Sequence, residues 1–228
     1  MSSAAQEPGV WEPLLARDGH EFSAWLVKPT GPARGAVVVL QEIFGVNSHI
    51  RSVAERYAAA GYLAIAPSLF DRVARHTELD YAPADVERGV ALRLQVPLAE
   101  SLLDIGACVN VVRHAGRVAT VGYCWGGQLS WICAATLDLQ AAIGYYASRI
   151  GEQLEREPTC PVLLHFGTRD TGIPLADVER LQARQPRVEV HRYEAEHGFN
   201  CDARAAYEAE SAALAWQRTL AFLKQHVG

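Results

Sequence analysis

Short apolar segments alternate with longer helical patterns along this 228-residue chain, and that alternation limits the possible folds more than any other feature. Uninterrupted apolar runs of strand length are typical of strands that are covered on both faces. The runs of this kind are 36–40, 62–66, 118–122, 141–146 and 162–166. Segments 21–27 and 188–193 alternate polar and apolar residues instead, which indicates half-exposed strands, the second of them at a sheet edge.

Helical spacing of apolar residues fills the gaps between these strands. It predicts helices over 48–60, 83–94, 98–114, 126–135, 176–183 and 203–226. Gly61 follows the first of them, where helices commonly end on glycine. Because strands that alternate with helices form parallel sheets, we predict an α/β fold with a mostly parallel central sheet and helices on both faces. The chain length fits a single domain over 1–228.

Composition and charge argue against several classes of function. The net charge is −5 and the basic residues are scattered, so the clustered Lys and Arg of nucleic-acid binding are missing. No apolar run approaches the roughly 18 residues of a membrane helix, and the N-terminal segment MSSAAQEPGVWEP does not resemble a secretory signal. Five cysteines without a C-x-x-C pair favour reduced thiols over disulfides or a zinc site. We expect a cytoplasmic monomer without nucleic-acid, membrane or metal partners.

The segment 118–127, VATVGYCWGG, carries the most informative motif. A buried strand leads into Gly122-Tyr123-Cys124-Trp125-Gly126 and a helix follows, as in the G-x-S-x-G nucleophile elbow, with cysteine at its centre. The motif predicts the α/β-hydrolase fold and a nucleophilic Cys124. A cysteine that only packs in the core is the alternative, and that interpretation suits Cys108 and Cys133, which lie on apolar helix faces.

In α/β hydrolases the catalytic acid and histidine follow the nucleophile in that order along the chain. Asp170 comes just after the strand 162–166, and His197 comes just after the strand 188–193. Because ligands of open parallel sheets bind at the carboxyl ends of strands, both residues are expected to converge on Cys124. His197 is the candidate general base and acid, and Asp170 would orient its imidazole. A turn-forming role for Asp170 is the alternative, with Asp177 as the substitute acid.

Glu42 follows the strand 36–40 and has apolar neighbours in the segment QEIFG. A carboxylate at the carboxyl end of a central strand should lie near the elbow, where it would hold or accept the thiol proton. The alternative is a glutamate in a solvent-facing loop. The backbone N–H groups of Ile43 and Trp125 are the candidate oxyanion hole, since one follows an early strand and the other follows the nucleophile.

Six segments together resemble the dienelactone hydrolase (carboxymethylenebutenolidase) family, in the family's order and over most of the chain. They are QEIFGVN at 41–47, APSLF at 66–70, GYCWGG at 122–127, GYY at 144–146, HFGTRD at 165–170 and EHGF at 196–199. The combination of GYCWGG and QEIFG is quite specific to the family. The resemblance implies a Cys–His–Asp triad at Cys124, His197 and Asp170, and a Glu42 that binds the resting thiol and takes its proton when substrate enters. It implies no metal and no organic cofactor.

The substrate-binding residues depart from the family's pattern. Dienelactone-cleaving members bind the substrate carboxylate with two arginines, one of them in an H-x-F-x-R pattern after the triad histidine. Here that position holds Cys201, Arg204 lies three residues further on, and the second arginine would come from the segment containing Arg88 and Arg93. Because cysteine cannot make a bidentate, charge-assisted contact, either the substrate lacks the carboxylate or another arginine replaces the contact. The candidate substrate-binding residues are Tyr123, Tyr145, Arg88 and Phe199, although core packing explains the aromatic ones equally well.

The sequence therefore predicts a hydrolase that cleaves a small-molecule lactone or ester through an acyl-thioenzyme intermediate. A thiol-based redox or peroxide-sensing protein on the same scaffold is the alternative, with Cys201 as the resolving thiol for Cys124. An inactive binding module that keeps the pocket is a third hypothesis, and the complete set of nucleophile, acid and base argues against it.

Overall fold

The computed structural model describes residues 9–228, which contain eight strands and six α-helices. The strands are β1 (Val10–Leu15), β2 (Glu21–Val27), β3 (Ala36–Leu40), β4 (Leu63–Pro67), β5 (Val118–Tyr123), β6 (Ala141–Tyr145), β7 (Val162–Gly167) and β8 (Glu189–Tyr193). The helices are α1 (Ser48–Ala59), α2 (Pro83–Gln95), α3 (Leu98–Val112), α4 (Trp125–Thr136), α5 (Leu175–Arg184) and α6 (Ala209–His226). These elements fall into two compact units: one extends to Val118 and includes Val227–Gly228, and the other spans Ala119–His226. The single domain expected from chain length stays a prediction.

In the first unit, four strands lie in the order β1-β2-β4-β3. β3 and β4 are parallel, whereas β2 pairs antiparallel with both β1 and β4. β3 and β4 are buried along their whole length, because AVVVL and LAIAP carry no polar side chain. α1 and α3 pack against β4. The uninterrupted apolar runs therefore do mark strands that helices cover, as the sequence predicted.

In the second unit, β5, β6, β7 and β8 lie side by side in chain order, and all of them are parallel. α4 packs against β6, and α6 packs against β6 and β7. Parallel strands end at the same sheet edge, so the loops after β5, β7 and β8 meet there. β8 is outermost in this order and partly exposed, which confirms the edge strand inferred from its alternating pattern.

One strand was missed in the sequence, and one helix was predicted to begin too early. β1 was not predicted; it is outermost in its unit, where Pro13 is tolerated because a position that faces away from the neighbouring strand needs no N–H donor. α6 was expected from residue 203 but begins at Ala209. The Glu208 carboxylate accepts the Ser211 backbone N–H at 2.7 Å and caps the helix at that point.

The five cysteines all lie in the described residues, and none of them forms a disulfide bond there. Cys108 and Cys133 are fully buried on α3 and α4, as their apolar surroundings predicted, and Cys201 is buried as well. Within residues 9–228, no single helix is long and apolar enough to cross a membrane. The helices Pro83–Gln95 and Leu98–Ala115 together reach the length and composition of a membrane span, but they meet at an angle of 91°.

Candidate active site

Cys124 occupies the turn between β5 and α4. Its backbone has φ 53° and ψ −111°, a conformation that costs a residue with a side chain roughly 1–3 kcal/mol. The turn is crowded, since a Cβ on Gly122 would lie 1.8 Å from the Gly126 carbonyl oxygen. Trp125 is the first residue of α4, and the first N–H groups of a helix project from its N-terminus. The half-buried Cys124 side chain therefore lies next to a helix start in a strained elbow.

The elbow is hydrogen-bonded to the segment that follows β6. The Cys124 N–H donates to the Tyr145 carbonyl at 3.0 Å, and the Cys124 carbonyl accepts the Ser148 N–H at 3.1 Å. The same carbonyl accepts the Gln128 N–H at 3.1 Å and so begins the hydrogen bonding of α4. Gly127 allows α4 to approach β6, because a Cβ there would lie 2.8 Å from the Tyr145 carbonyl oxygen. These contacts stabilise the strained conformation of Cys124.

The loops after β7 and β8 are bonded to each other. The Thr168 N–H donates to the Tyr193 carbonyl at 2.7 Å, and the Arg169 N–H donates to the Ala195 carbonyl at 3.0 Å. The two loops approach closely because residue 167 is glycine: a Cβ there would lie 2.3 Å from the Ala195 carbonyl oxygen. The residues that follow in each loop, 170 and 197, are thereby brought together.

Asp170 and His197 form a direct hydrogen bond, with 2.7 Å between His197 Nδ1 and Asp170 Oδ2. The other carboxylate oxygen of Asp170 accepts the backbone N–H groups of Gly172 at 2.8 Å and Ile173 at 3.1 Å. Sequence reasoning missed these two donors, although the turn-forming segment after Asp170 is a signal for them. The substitute acid Asp177 lies in the first turn of α5 and accepts a hydrogen bond of 2.6 Å from Arg180.

The electrostatic environment raises the pKa of His197 from 6.5 to about 10. Burial of the ring opposes this rise, because it disfavours the charged form. The electrostatic interaction with the Cys124 side chain and the hydrogen bonds with Asp170 and Cys124 outweigh burial. The raised pKa favours the charged form of the ring, whose Nδ1 is hydrogen-bonded to Asp170 and which also interacts with the Cys124 side chain.

Glu42 and Ile43 follow β3 in the first unit. Glu42 is 1% exposed, so the solvent-facing loop that was its alternative is wrong. The segment is held by its neighbours: the Gln41 side-chain oxygen accepts the Leu69 N–H at 3.1 Å. A Cβ on Gly89 of α2 would lie 2.1 Å from the Ile43 carbonyl oxygen. The proton-accepting role of Glu42 and the oxyanion role of the Ile43 N–H stay predictions.

The aromatic candidates for substrate binding are core residues. Tyr123, Tyr145 and Phe199 are all buried. The rings of Tyr123 and Tyr145 stack with 4.8 Å between centroids, and the Tyr145 hydroxyl lies 2.7 Å from Thr219 Oγ1. β6 was predicted to include Tyr146 but ends one residue earlier, because the backbone there turns to φ 37°. Packing accounts for these rings, and their contact with substrate stays a prediction.

Three arginines were named for binding a substrate carboxylate: Arg204, and Arg88 or Arg93 for the second contact. Arg204 lies against the turn that carries His197: a Cβ on Gly198 would be 2.5 Å from Arg204 Nη1. Gly198 has φ 83°, which also favours glycine there. Arg88 and Arg93 both lie on α2 in the first unit, where Arg88 is exposed and Arg93 is half-buried, and the binding of a carboxylate by either of them stays a prediction.

The family model described as the dienelactone hydrolase family matches residues 22–227. The chain belongs to the dienelactone hydrolase family. The carboxymethylenebutenolidase of Pseudomonas putida is 34% identical over 223 residues, which cover 92% of this chain and 94% of that protein. A protein of Synechocystis sp., provisionally named carboxymethylenebutenolidase, is 35% identical over 219 residues, which cover 87% of this chain and 89% of that protein. A crystal structure from Klebsiella pneumoniae, provisionally named a dienelactone hydrolase, has a TM-score of 0.83 at 33% identity and covers 96% of this chain and 100% of its own.

Membership of the dienelactone hydrolase family confirms both the resemblance and the fold class inferred from the sequence. The chain has the α/β-hydrolase fold, with a mostly parallel sheet and helices around it. It is a hydrolase that acts on esters or lactones, and its substrate is a small molecule.

Proposed function

We propose that this dienelactone hydrolase family member cleaves its substrate with Cys124 as nucleophile, His197 as general base and acid, and Asp170 as the residue that orients His197. The observation that carries the proposal is the 2.7 Å hydrogen bond between His197 and Asp170, on a ring whose pKa is raised by interaction with Cys124. Covalent catalysis needs a nucleophile, an adjacent base and a third group that orients the base.

In the first half-reaction, the ionised sulfur of Cys124 attacks the carbonyl carbon, and the π electrons move onto the carbonyl oxygen. The N–H groups of Trp125 and Ile43 are the proposed donors to this oxyanion. When the C=O bond re-forms, the bond to the leaving oxygen breaks, and the His197 imidazolium gives that oxygen its Nε2 proton. The acyl group then remains on Cys124 as a thioester; for a lactone, the released alcohol stays attached to it.

In the second half-reaction, neutral His197 removes a proton from a water molecule while the water oxygen attacks the thioester carbonyl. Collapse of the tetrahedral intermediate breaks the C–S bond and releases the carboxylic acid. Ionised Cys124 and protonated His197 are restored, and one water molecule has been consumed. Asp170 stabilises the imidazolium at both stages.

Replacing Cys124 by alanine tests the nucleophile. We expect hydrolysis of a short aryl ester to fall by roughly 10³-fold or more, because the covalent route is lost. Cys133→Ala is the matched control: it removes a buried thiol from α4, the helix that follows the elbow, and should leave turnover close to wild type. Steady-state rates and circular dichroism spectra of the three proteins measure this. Equal turnover by Cys124→Ala and wild type would rule out the mechanism.

The substrate class depends on whether Arg204 replaces the arginine that is missing at Cys201. Its guanidinium lies beside the His197 turn, so we expect it to bind a carboxylate on the substrate. Arg204→Gln should then raise the KM for a carboxylate-bearing lactone by about tenfold or more and leave the KM for a neutral ester of similar size unchanged. Equal KM changes for both substrates, or none, would show that Arg204 does not recognise the carboxylate.

A further inference from the structure

Tyr146, directly after β6, combines complete burial with a strained backbone. Its φ is 37° and its side chain is inaccessible to solvent. Glycine adopts such a conformation without strain, yet the chain has a large aromatic side chain at this position. Residues held in sparsely populated conformations cluster at functional sites, where the surrounding structure fixes them.

The Tyr146 ring packs on the imidazole of His197. The two ring centroids are 5.1 Å apart, and the ring planes are inclined by 60°. The Tyr146 ring also meets Phe199 edge-on at 5.5 Å and Tyr123 at 6.2 Å. Phe199 lies two residues after His197, and Tyr123 immediately precedes Cys124. The Tyr146 ring therefore contacts His197 itself, and it also contacts residues near His197 and Cys124 in the chain.

The backbone on both sides of this ring is tied to the elbow. Tyr145 accepts the Cys124 N–H, and Ser148 donates to the Cys124 carbonyl. Between them, the Tyr146 N–H donates to the His165 carbonyl in β7 at 2.7 Å. These three hydrogen bonds fix the segment 145–148 relative to Cys124 and β7, so the positive φ directs the Tyr146 ring to one place.

We infer that Tyr146 is a positioning residue, which holds the imidazole of His197 in line with the Cys124 sulfur. The inference rests on the proposed function of these two residues. The hydrogen bond that His197 Nδ1 donates to Asp170 fixes the distance at that nitrogen, but it still permits the imidazole to tilt. An immobile aromatic ring against the imidazole blocks that tilt, and small errors of alignment between nucleophile and base are costly to rate.

The test compares Tyr146→Phe, which keeps the ring, with Tyr146→Leu, which keeps apolar bulk and removes the ring. With a short aryl ester, Tyr146→Leu should lower kcat by about 10²-fold at nearly unchanged KM, and Tyr146→Phe should keep wild-type kcat. Phe222→Leu is the control for a lost core ring: Phe222 is buried on α6 and packs on His226 at 4.5 Å. The Phe222→Leu variant should have a lower free energy of unfolding and an unchanged kcat. If Tyr146→Leu does not fold, Tyr146→Met replaces it, because methionine fills irregular space.

A second readout does not depend on hydrolysis: the pH profile of Cys124 alkylation by iodoacetamide, followed by peptide mass spectrometry. Because thiol reactivity depends on the neighbouring imidazole, Tyr146→Leu should displace this profile and Tyr146→Phe should not. If wild type hydrolyses no ester, the proposed function fails while the alkylation profiles still decide the role of Tyr146. Wild-type kcat and profile in Tyr146→Leu would overturn the inference. An equal loss of kcat in Tyr146→Phe would also overturn it, because the effect would then belong to the hydroxyl. So would a higher KM at unchanged kcat in Tyr146→Leu, because the ring would then contact the substrate.

Discussion

At the scale of single residues, His197 obtains its properties from two acidic neighbours. Burial alone would lower its pKa, yet the pKa lies near 10, because Cys124 and Asp170 favour the charged ring more than burial disfavours it. A ring that keeps its proton through neutral pH is ready to protonate the leaving oxygen. Asp170 therefore has two effects on His197, since it orients the ring and raises its pKa.

Replacing Asp170 by asparagine separates these effects. In wild type the rate should fall as pH rises through about 10, because His197 then loses the proton that it donates. Asparagine removes an interaction that raises the pKa, so the alkaline fall should move to lower pH, with a lower rate at every pH. Asp177→Asn is the control, since Asp177 pairs with Arg180. An alkaline limb that stays near pH 10 in Asp170→Asn would contradict the account.

At the scale of secondary-structure elements, one hydroxyl joins α6 to β6 and β7. Thr219 Oγ1 lies 2.7 Å from the Tyr145 hydroxyl and 3.0 Å from His165 Nε2, and all three residues are buried. Burial lowers the pKa of His165 well below its usual value, so this ring is neutral. Its Nδ1 is satisfied by the Tyr193 hydroxyl at 2.8 Å. The strands below the candidate site are thus fixed by a buried polar network.

Thr219→Val keeps the side-chain volume and removes this hydroxyl. We expect the free energy of unfolding to fall by about 1–3 kcal/mol, because Tyr145 and His165 each lose a buried partner. Urea denaturation of both proteins measures the difference. Thr136→Val is the matched control, because the Thr136 hydroxyl bonds only within α4, to the Ile132 carbonyl at 2.9 Å. Its effect should stay within about 0.5 kcal/mol, and equal losses in the two variants would show that the network adds no stability.

At the scale of the whole molecule, the fold class could be predicted because apolar patterning and the elbow motif are local in sequence. The apolar runs of β3 and β4 have no polar residue that would permit an exposed face. The segment around Cys124 defines a strand, a tight turn and a helix within ten residues, 118–127. Three positions in the order expected of a nucleophile, an acid and a histidine then completed the candidate site.

Other features depend on contacts that are distant in sequence and could not be predicted. β1 tolerates Pro13 only because the strand is outermost in its unit. Tyr146 continues an apolar strand pattern, and its positive φ results from hydrogen bonds to other segments. The start of α6 depends on which acidic residue caps it, and Glu208 does so. The periodicity of apolar residues carries no information about contacts between residues that are distant in sequence.

Trapping the acyl-enzyme is the most direct measurement of the central claim, which is covalent catalysis by Cys124. Wild type mixed with an activated aryl ester and quenched in acid within one turnover should gain the mass of one acyl group, located on the peptide that contains Cys124. Cys133→Ala should give the same adduct and Cys124→Ala none. Rapid hydrolysis by wild type with no adduct at any quench time, or an adduct on another residue that persists in Cys124→Ala, would contradict the account.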